Sequence, residues 1–428
     1  MHALWRGAIL AAAFGTCACQ AAFAQVAEPR GVYCSCPPTT SSGTVSFMPS
    51  VASKDFVSGI LVRIKWSDLE PVEGDFQWAL LDSQFAAADR YGKRVTLAVL
   101  NGPACPGWLF AQGAEPFPYL FRGSPNTLAV PWDSVFIAKW GATVAAVGAR
   151  YRNQASLALV HATHSTGNGF EMQLPSTPTD VSNWQARGYS HARVIDSWAR
   201  VLDAFADAFP TTSVDVDVHP VVGSDSVANG VIAEGSRRMG DRFGVFAAWW
   251  SQNNTSVYPG SYQLLQTGVD SSFGAVQMVA SGSSDSARFG PGGMPAALDL
   301  AASQGVRYWE VWNSDILDPD FESLLRTYNT SATVDVLPTR PLRELGVSMA
   351  PNPTREEVLV RLTLEHASTV AVRVIDVAGR EVASAVQFHG QPGPLVLRIW
   401  LRDEPPGLYF VNVIRDDRSA THRIVRLR

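Results

Sequence analysis

Two glutamates stand where a carboxyl group could do acid–base work. Glu171 lies in Thr166-Gly-Asn-Gly-Phe-Glu-Met172, a glycine-bearing loop after the apolar run Leu157 to Thr163. Glu310 lies inside Tyr308-Trp-Glu-Val-Trp312. A carboxylate in such an apolar stretch is unfavourable unless it faces a polar cavity or a partner, so Glu310 is expected to point into an open mouth. Two carboxyl groups, one kept protonated and one ionised, form the pairing that cleaves a glycosidic bond. An aromatic ring with a polar N–H can stack on a sugar and hydrogen-bond it. Trp66, Trp108, Trp132, Trp249, Trp250 and Trp312 all fall at or just after expected strand ends, and Trp249, Trp250 and Trp312 are the leading platform candidates. Asn101, Asn168, His219, Gln277 and Asn313 are candidates to hydrogen-bond hydroxyl groups, with loop fixing as the alternative for Asn101 and His219.

Other chemistries find less support. His161, His164 and His219 raise a metal-dependent hydrolase, but a His pair on the first strand and carboxylates to complete the shell are wanting, so no metal is expected. No Gly-x-Ser-x-Gly elbow supplies an esterase nucleophile, and no cofactor is expected. Cys34, Cys36 and Cys105 allow a disulfide between Cys105 and one member of the Cys34/Cys36 pair, or unpaired thiols; spacing leaves the connectivity open.

The elements that must position these residues alternate. Short apolar strands are expected at Ile60 to Trp66, Arg94 to Leu100, Leu157 to Thr163, Ser213 to Val218, Gly244 to Trp249, Gly274 to Ala280 and Val306 to Trp312, with a weaker one near Leu128 to Val130. Helices fall between them, and in His191 to Phe209 the residues Val194, Trp198, Val201, Leu202 and Phe205 recur at helical spacing and mark a core face. This is the pattern of an α/β (β/α)8 barrel. An open doubly wound sheet is the competing architecture, but its Gly-x-Gly-x-x-Gly fingerprint is absent at these junctions. Beyond the Pro-containing linker at 337–344 the period changes to two, and 345–428 reads as a small all-β, immunoglobulin-like sandwich.

At 428 residues the chain exceeds the roughly 250 to 300 at which single cores stop growing, so two domains are the default. An apolar fraction of 46% with 17% charged residues describes a folded chain. A net charge of −5 without a sustained Lys/Arg run excludes nucleic acid and an anionic membrane as expected partners. The start, Met1 to Arg6, an apolar run and Ala22-Phe-Ala24, reads as a secretory signal peptide over 1–24, with no later integral membrane segment. Cys17 and Cys19 lack the aliphatic residue of a lipobox, having Phe14 and Thr16 three places upstream.

Two resemblances join these readings. Ala350-Pro-Asn-Pro-Thr354, Val372-Arg-Val-Ile-Asp-Val-Ala-Gly-Arg-Glu-Val382 and Pro406-Gly-Leu-Tyr-Phe-Val411 resemble the C-terminal sorting domain of type IX (Por) secretion cargo. That implies the type IX machinery as a partner and export through the periplasm and outer membrane, to the cell surface or beyond. Trp66-Ser-Asp-Leu-Glu-Pro-Val-Glu-Gly-Asp-Phe-Gln-Trp78, with Pro131-Trp-Asp133 and Arg150-Tyr-Arg152, resembles clan A glycoside hydrolases over most of Gly59 to Asn313, within a barrel domain expected at 25–336. The resemblance implies that Glu171 is the acid/base, although the clan's acid commonly follows an Asn directly and here Asn168 is three residues earlier. The clan's nucleophile place, after the seventh strand, holds Gln277, which leaves Glu310 as the second carboxylate. The expectation is a secreted glycoside hydrolase acting on β-linked oligo- or polysaccharide. The rival is a carbohydrate-binding or surface-display protein on a degenerate barrel, favoured if Glu310 is buried and paired.

Overall fold

The computed structural model describes residues 28–39, 48–333, 347–364, 368–376, 380–402, 404–415 and 418–427. The expected signal peptide, 1–24, and the linker, 337–344, lie outside them. The chain divides into two compact units, Met1–Val334 and Asp335–Arg428.

The first unit is a closed barrel of eight parallel strands. They are β1 (Gly31–Thr39), β2 (Gly59–Lys65), β3 (Arg94–Leu100), β4 (Leu157–His161), β5 (Ser213–Asp217), β6 (Phe243–Trp250), β7 (Gly274–Met278) and β8 (Tyr308–Trp312). Side chains alternate across each strand. The outward set, such as Val32, Ile60, Val62, Val160, Val276, Trp309 and Val311, packs with the surrounding helices. The inward set fills the barrel, with Tyr33, Leu61, Ala98, Leu159, Phe246, Ala275 and Tyr308 in contact. The helices form where their apolar faces and caps direct them. Asp133 caps Ser134–Tyr151 by accepting from Phe136 N at 2.9 Å, and Val194, Trp198, Val201, Leu202 and Phe205 of His191–Ala208 are buried as their spacing requires.

One strand differs from the sequence expectation. The segment around Leu128 to Val130 is no barrel strand; Ser124–Ala129 pairs antiparallel with Pro116–Phe121 in a hairpin. The strand that completes the barrel is β1, which pairs in parallel with both β2 and β8 and closes the cylinder. Its Pro37 and Pro38 read as a breaker, yet the register to β2 shifts between Ser35 and Pro38, where an irregularity tolerates a residue without an N–H. Trp66 therefore follows the second barrel strand.

The clan-like motif after β2 is structural. Glu70 of Leu69-Glu-Pro71 is buried and accepts from Trp66 Nε1 at 2.8 Å, Gly74 N at 2.8 Å and Thr143 Oγ1 at 2.7 Å, which ties the loop to the next long helix. Asp82 receives Arg150 Nε at 2.9 Å and Tyr151 Oη at 2.8 Å. These residues hold the barrel wall and leave the mouth to other loops.

The second unit has two antiparallel sheets. One contains Ser348–Ala350, Glu357–Leu364 and Gly393–Trp400; the other contains Glu381–Gly390, Ser368–Asp376, Gly407–Arg415 and Arg418–Arg426. Val358, Val360, Leu362, Val370, Val372, Val374, Val411, Val413 and Ile424 form its core, as the period-two pattern demands. Asn352 of the Ala350-Pro-Asn-Pro353 motif staples the start of the unit to its last strand, donating to Arg423 O at 2.8 Å and accepting from Val425 N at 2.9 Å. Arg380 N donates to Asp376 Oδ1 at 3.0 Å and closes the turn of the second motif. Tyr409 of the third donates its hydroxyl to Pro405 O at 2.6 Å.

Two glycines set how closely the loop after β4 approaches the end of β3. Gly169 has φ +76°, and a Cβ there would lie 2.0 Å from Asn101 O; Gly102 has φ +55°, and a Cβ there would lie 2.1 Å from Thr166 O. Gly169→Ala is accordingly expected to destabilise the barrel by about 1–3 kcal/mol, measured by urea unfolding, because it combines a left-handed backbone with a clash against main chain.

Candidate functional site

Strand register brings the inward polar residues together. His161 on β4 is level with Asp215 on β5, and Glu310 on β8 is level with Gln277 on β7. Inside the barrel His161 Nδ1 lies 2.8 Å from Asp215 Oδ1 and His161 Nε2 lies 3.2 Å from Glu310 Oε1. Each ring nitrogen of His161 thus faces a carboxyl oxygen within ion-pair distance. Glu310 also accepts from Tyr308 Oη at 2.5 Å and from Gln277 Nε2 at 2.6 Å. Gln277 Nε2 reaches Ser35 Oγ at 3.1 Å as well. Its two amide hydrogens are thus engaged, and the carbonyl oxygen is what the Gln277 side chain has left for the cavity above.

Burial opposes a charge on His161, but Asp215 and then Glu310 outweigh it and raise the imidazole to about 10. Burial also raises the Asp215 carboxyl, against the pull of His161. This shift favours the protonated form of the His161 ring between the two carboxyl groups.

A cavity of about 760 Å³ opens above this floor, at the ends of the strands where barrel active sites form. Glu171 lines it. Asn168 Oδ1 accepts from Phe170 N at 3.0 Å and Glu171 N at 2.8 Å, so the two-glycine loop does bring Asn168 against Glu171. Gln173 Nε2 donates to Glu171 Oε2 at 2.7 Å, and His219 Nε2 lies 3.6 Å from the same oxygen. Behind His219, Asp217 Oδ2 contacts Nδ1 at 2.7 Å and also accepts from Met172 N at 3.0 Å. Burial raises the Glu171 carboxyl above the ordinary glutamic acid value, with His219 opposing that shift and Asp217 adding to it. Burial also works against charge on His219, but Asp217 prevails and its pKa is raised.

Of the residues expected at a site, Glu171, Asn168, His219, Trp249, Gln277 and Trp312 line this cavity together. Trp249 packs edge-on to His219 and Tyr258, while Trp312 keeps part of its ring exposed and donates Nε1 to Met278 O at 2.8 Å. The rest stand elsewhere. Glu310 points into the barrel but one layer below the mouth, fully buried and off the cavity wall. Trp66 is buried against Trp108 and Trp140 outside the strands, and Trp250 is buried with Nε1 on Ala297 O at 2.7 Å. Asn101 is buried and caps the turn after β3 through Gly102 N at 2.7 Å. Asn313 begins the short helix Asn313–Leu317 and does not line the cavity. Cys105 makes no disulfide, so of the two readings that spacing leaves open it takes the unpaired one. Burial pushes the Cys105 thiol up to about 12, and the side chain of Cys36 lies outside the described residues.

Sequence reading missed Arg63, Arg122, Tyr258 and Arg288, all on the cavity wall. Arg63 had a signal: it is a charged residue at an inward position of the apolar strand Gly59–Lys65, the same signal that singled out Glu310. Among the described residues no three His, Cys, Asp or Glu side chains converge as ligands for a metal ion. A second cavity, of about 790 Å³, lies beside the hairpin, and its carboxylate, Asp180, is engaged in the capping box of Thr177.

Residues 56–200 match the glycosyl hydrolase 42 family, described as β-galactosidase, and residues 348–426 match the secretion system C-terminal sorting domain. No curated protein sequence matches the chain. Among solved structures, the catalytic domain of β-amylase from Paenibacillus polymyxa superposes with a TM-score of 0.50 at 9% identity, covering 71% of this chain and 99% of that one. The endo-β-1,4-mannanase from Thermotoga petrophila gives 0.46 at 13% identity over 94% and 98%. The likeness to the first is one of fold, and its fold is the one described above. No helix among the described residues is long and apolar enough to cross a membrane.

The buried network makes stability depend on pH. A histidine whose folded pKa of about 10 exceeds the unfolded value of about 6.5 contributes its full stabilisation below the lower value and loses it as pH rises toward the upper one. The raised His219 acts in the same direction, and His164, pushed down to about 3 by burial, acts oppositely on the acid side. Trp400 is the only tryptophan of the second unit, so tryptophan fluorescence follows chiefly the barrel. Its urea midpoint is expected to fall between about pH 7 and 9, and His161→Gln, less stable throughout, is expected to flatten that fall.

Proposed function

We propose that this chain, whose barrel carries a glycosyl hydrolase 42 family domain and whose tail is a secretion system C-terminal sorting domain, is a secreted glycosidase with Glu171 as proton donor. The observation that carries this reading is a carboxyl group on the wall of an open cavity, kept above its ordinary pKa by burial and oriented by Asn168 and Gln173. A general acid needs that state, because it must hold its proton until the leaving oxygen takes it. The family's description as β-galactosidase supports a β-linked saccharide, and Trp312 and Tyr258 offer faces for sugar rings. The sorting domain supports the type IX route, with delivery to the cell surface or beyond.

Glu310 serves this chemistry through Gln277. The carboxylate takes one amide hydrogen, Ser35 takes the other, and the amide oxygen is left to accept a hydrogen bond from a water or from the substrate. The attacking group is then one of the substrate itself, as in glycosidases that work by substrate assistance, and water opens the resulting ring in a second step, passing its proton to the Glu171 carboxylate left by the first. A second reading, a saccharide-binding barrel without turnover, has two observations in its favour: Glu310 is buried and paired below the mouth, and among the described residues Glu171 is the one carboxylate on the cavity wall.

Chromogenic β-glycosides and β-linked polysaccharides offered to the full chain test both readings. Turnover is expected in the wild type, to fall by about 100-fold or more in Glu171→Gln, and to drop only partially in Glu310→Gln. The rate should decline as pH rises through a value above about 4.3, the ordinary glutamic acid pKa, as Glu171 loses its proton. Binding of a glycan with no turnover would favour the second reading, and full turnover in Glu171→Gln would remove that residue from the mechanism.

A further inference from the structure

The charge on the cavity wall is lopsided. Arg63, Arg122 and Arg288 line it from three separate elements, against Glu171 as the carboxylate. Arg63 comes from β2 and lies 5.9 Å from the ring centres of both Phe170 and Trp312. Arg122 comes from the hairpin turn, where its backbone takes a left-handed φ of +50°, and it packs 5.3 Å from the Phe121 ring. Arg288 ends the short turn Ser286–Arg288 after β7; its Nε is 3.9 Å from Asp285, both side chains are half exposed, and such a pair is weak and solvent-screened. The chain as a whole carries −5, so three guanidinium groups around one cavity run against its net charge.

A neutral sugar asks only for hydroxyl partners and ring faces. Guanidinium groups are planar, permanently charged forks that match carboxylate and sulfate oxygens, and several of them around one cavity attract an anionic ligand before contact. We propose that the barrel mouth takes an anionic saccharide, one bearing carboxylate or sulfate groups, with Arg63, Arg122 and Arg288 as the residues that read its charge. The inference rests on the saccharide reading above and adds the substrate class. The arginines lie on the wall around Glu171, so the anionic groups belong to sugars held in this same cavity.

An array of oligosaccharides matched in backbone and linkage, in neutral, uronate and sulfated forms, tests it with the full chain. β-1,4-Linked mannose and mannuronate oligomers are one such pair, differing at C6 alone. Anionic members are expected to bind roughly tenfold or more tightly than their neutral partners in dilute buffer, with the preference shrinking at about 0.5 M salt. The double variant Arg122→Gln, Arg288→Gln, checked for its fold by circular dichroism, is expected to lose most of that preference, read as the ratio of anionic to neutral affinity. Retention of uronates alone or of sulfated sugars alone supports the proposal and identifies the anion. Equal or tighter binding of the neutral partners, or an undiminished preference in the double variant, overturns the proposal and leaves the saccharide reading standing. Failure to bind any glycan of either kind overturns both.

Discussion

The charged contact between His161 and the carboxyl groups of Asp215 and Glu310 is the constraint on which the rest of the barrel mouth depends. It sits where β4, β5 and β8 present His161, Asp215 and Glu310 to the barrel interior, and none of the three groups is exposed enough to be satisfied by water. Removing one partner would leave a buried charge uncompensated, which typically costs about 3–5 kcal/mol, so the three residues specify one another. Tyr308 and Gln277 complete the shell around Glu310, and Gln277 in turn is the residue that meets the cavity. The floor of the site is therefore set by electrostatics in the layer beneath it.

Above that floor a second, looser histidine–carboxyl arrangement repeats the motif. Asp217 holds His219, His219 faces Glu171, and the backbone of Met172 is tied to Asp217. The alternation of β5 puts Asp215 and Asp217 two residues apart on the same face, one serving the floor and the other the mouth. This division explains why two glutamates with similar sequence credentials have different roles. Glu310 is consumed by its partners, whereas Glu171 lines the cavity and burial raises its pKa above the ordinary value.

The sequence made much of this legible. The helical spacing in His191–Ala208, the period-two core of the tail and the position of Glu171 after β4 all follow from pattern alone. Depth was harder. Period two tells that Glu310 points inward, but not whether it lies at the rim or one layer down; that is fixed by the stagger between strands, a property of closure that no single segment contains. The same limit hid the role of Trp66 and Trp250, whose places at strand ends are compatible with either face. β1 was lost because Gly31-Val-Tyr-Cys-Ser-Cys-Pro-Pro-Thr39 combines an apolar start with adjacent prolines, and the hairpin strand near Leu128 took its place because short apolar runs do not declare their pairing. Arg122 and Arg288 carried no signal, since each is a charged loop residue until the fold aims it at the cavity.

The charge of His161 is the premise on which the floor of the site rests. In the full chain labelled with 15N-histidine, nitrogen shifts recorded at about pH 8, well above the ordinary histidine value of about 6.5, report that charge directly. One ring with both nitrogens protonated is expected there, assigned to His161 by its absence in His161→Gln and converted to the neutral form in Glu310→Gln at lower pH than in the wild type. A neutral His161 at that pH in the wild type would contradict that premise, because the floor would then be a set of ordinary hydrogen bonds and Glu310 would be free for another task.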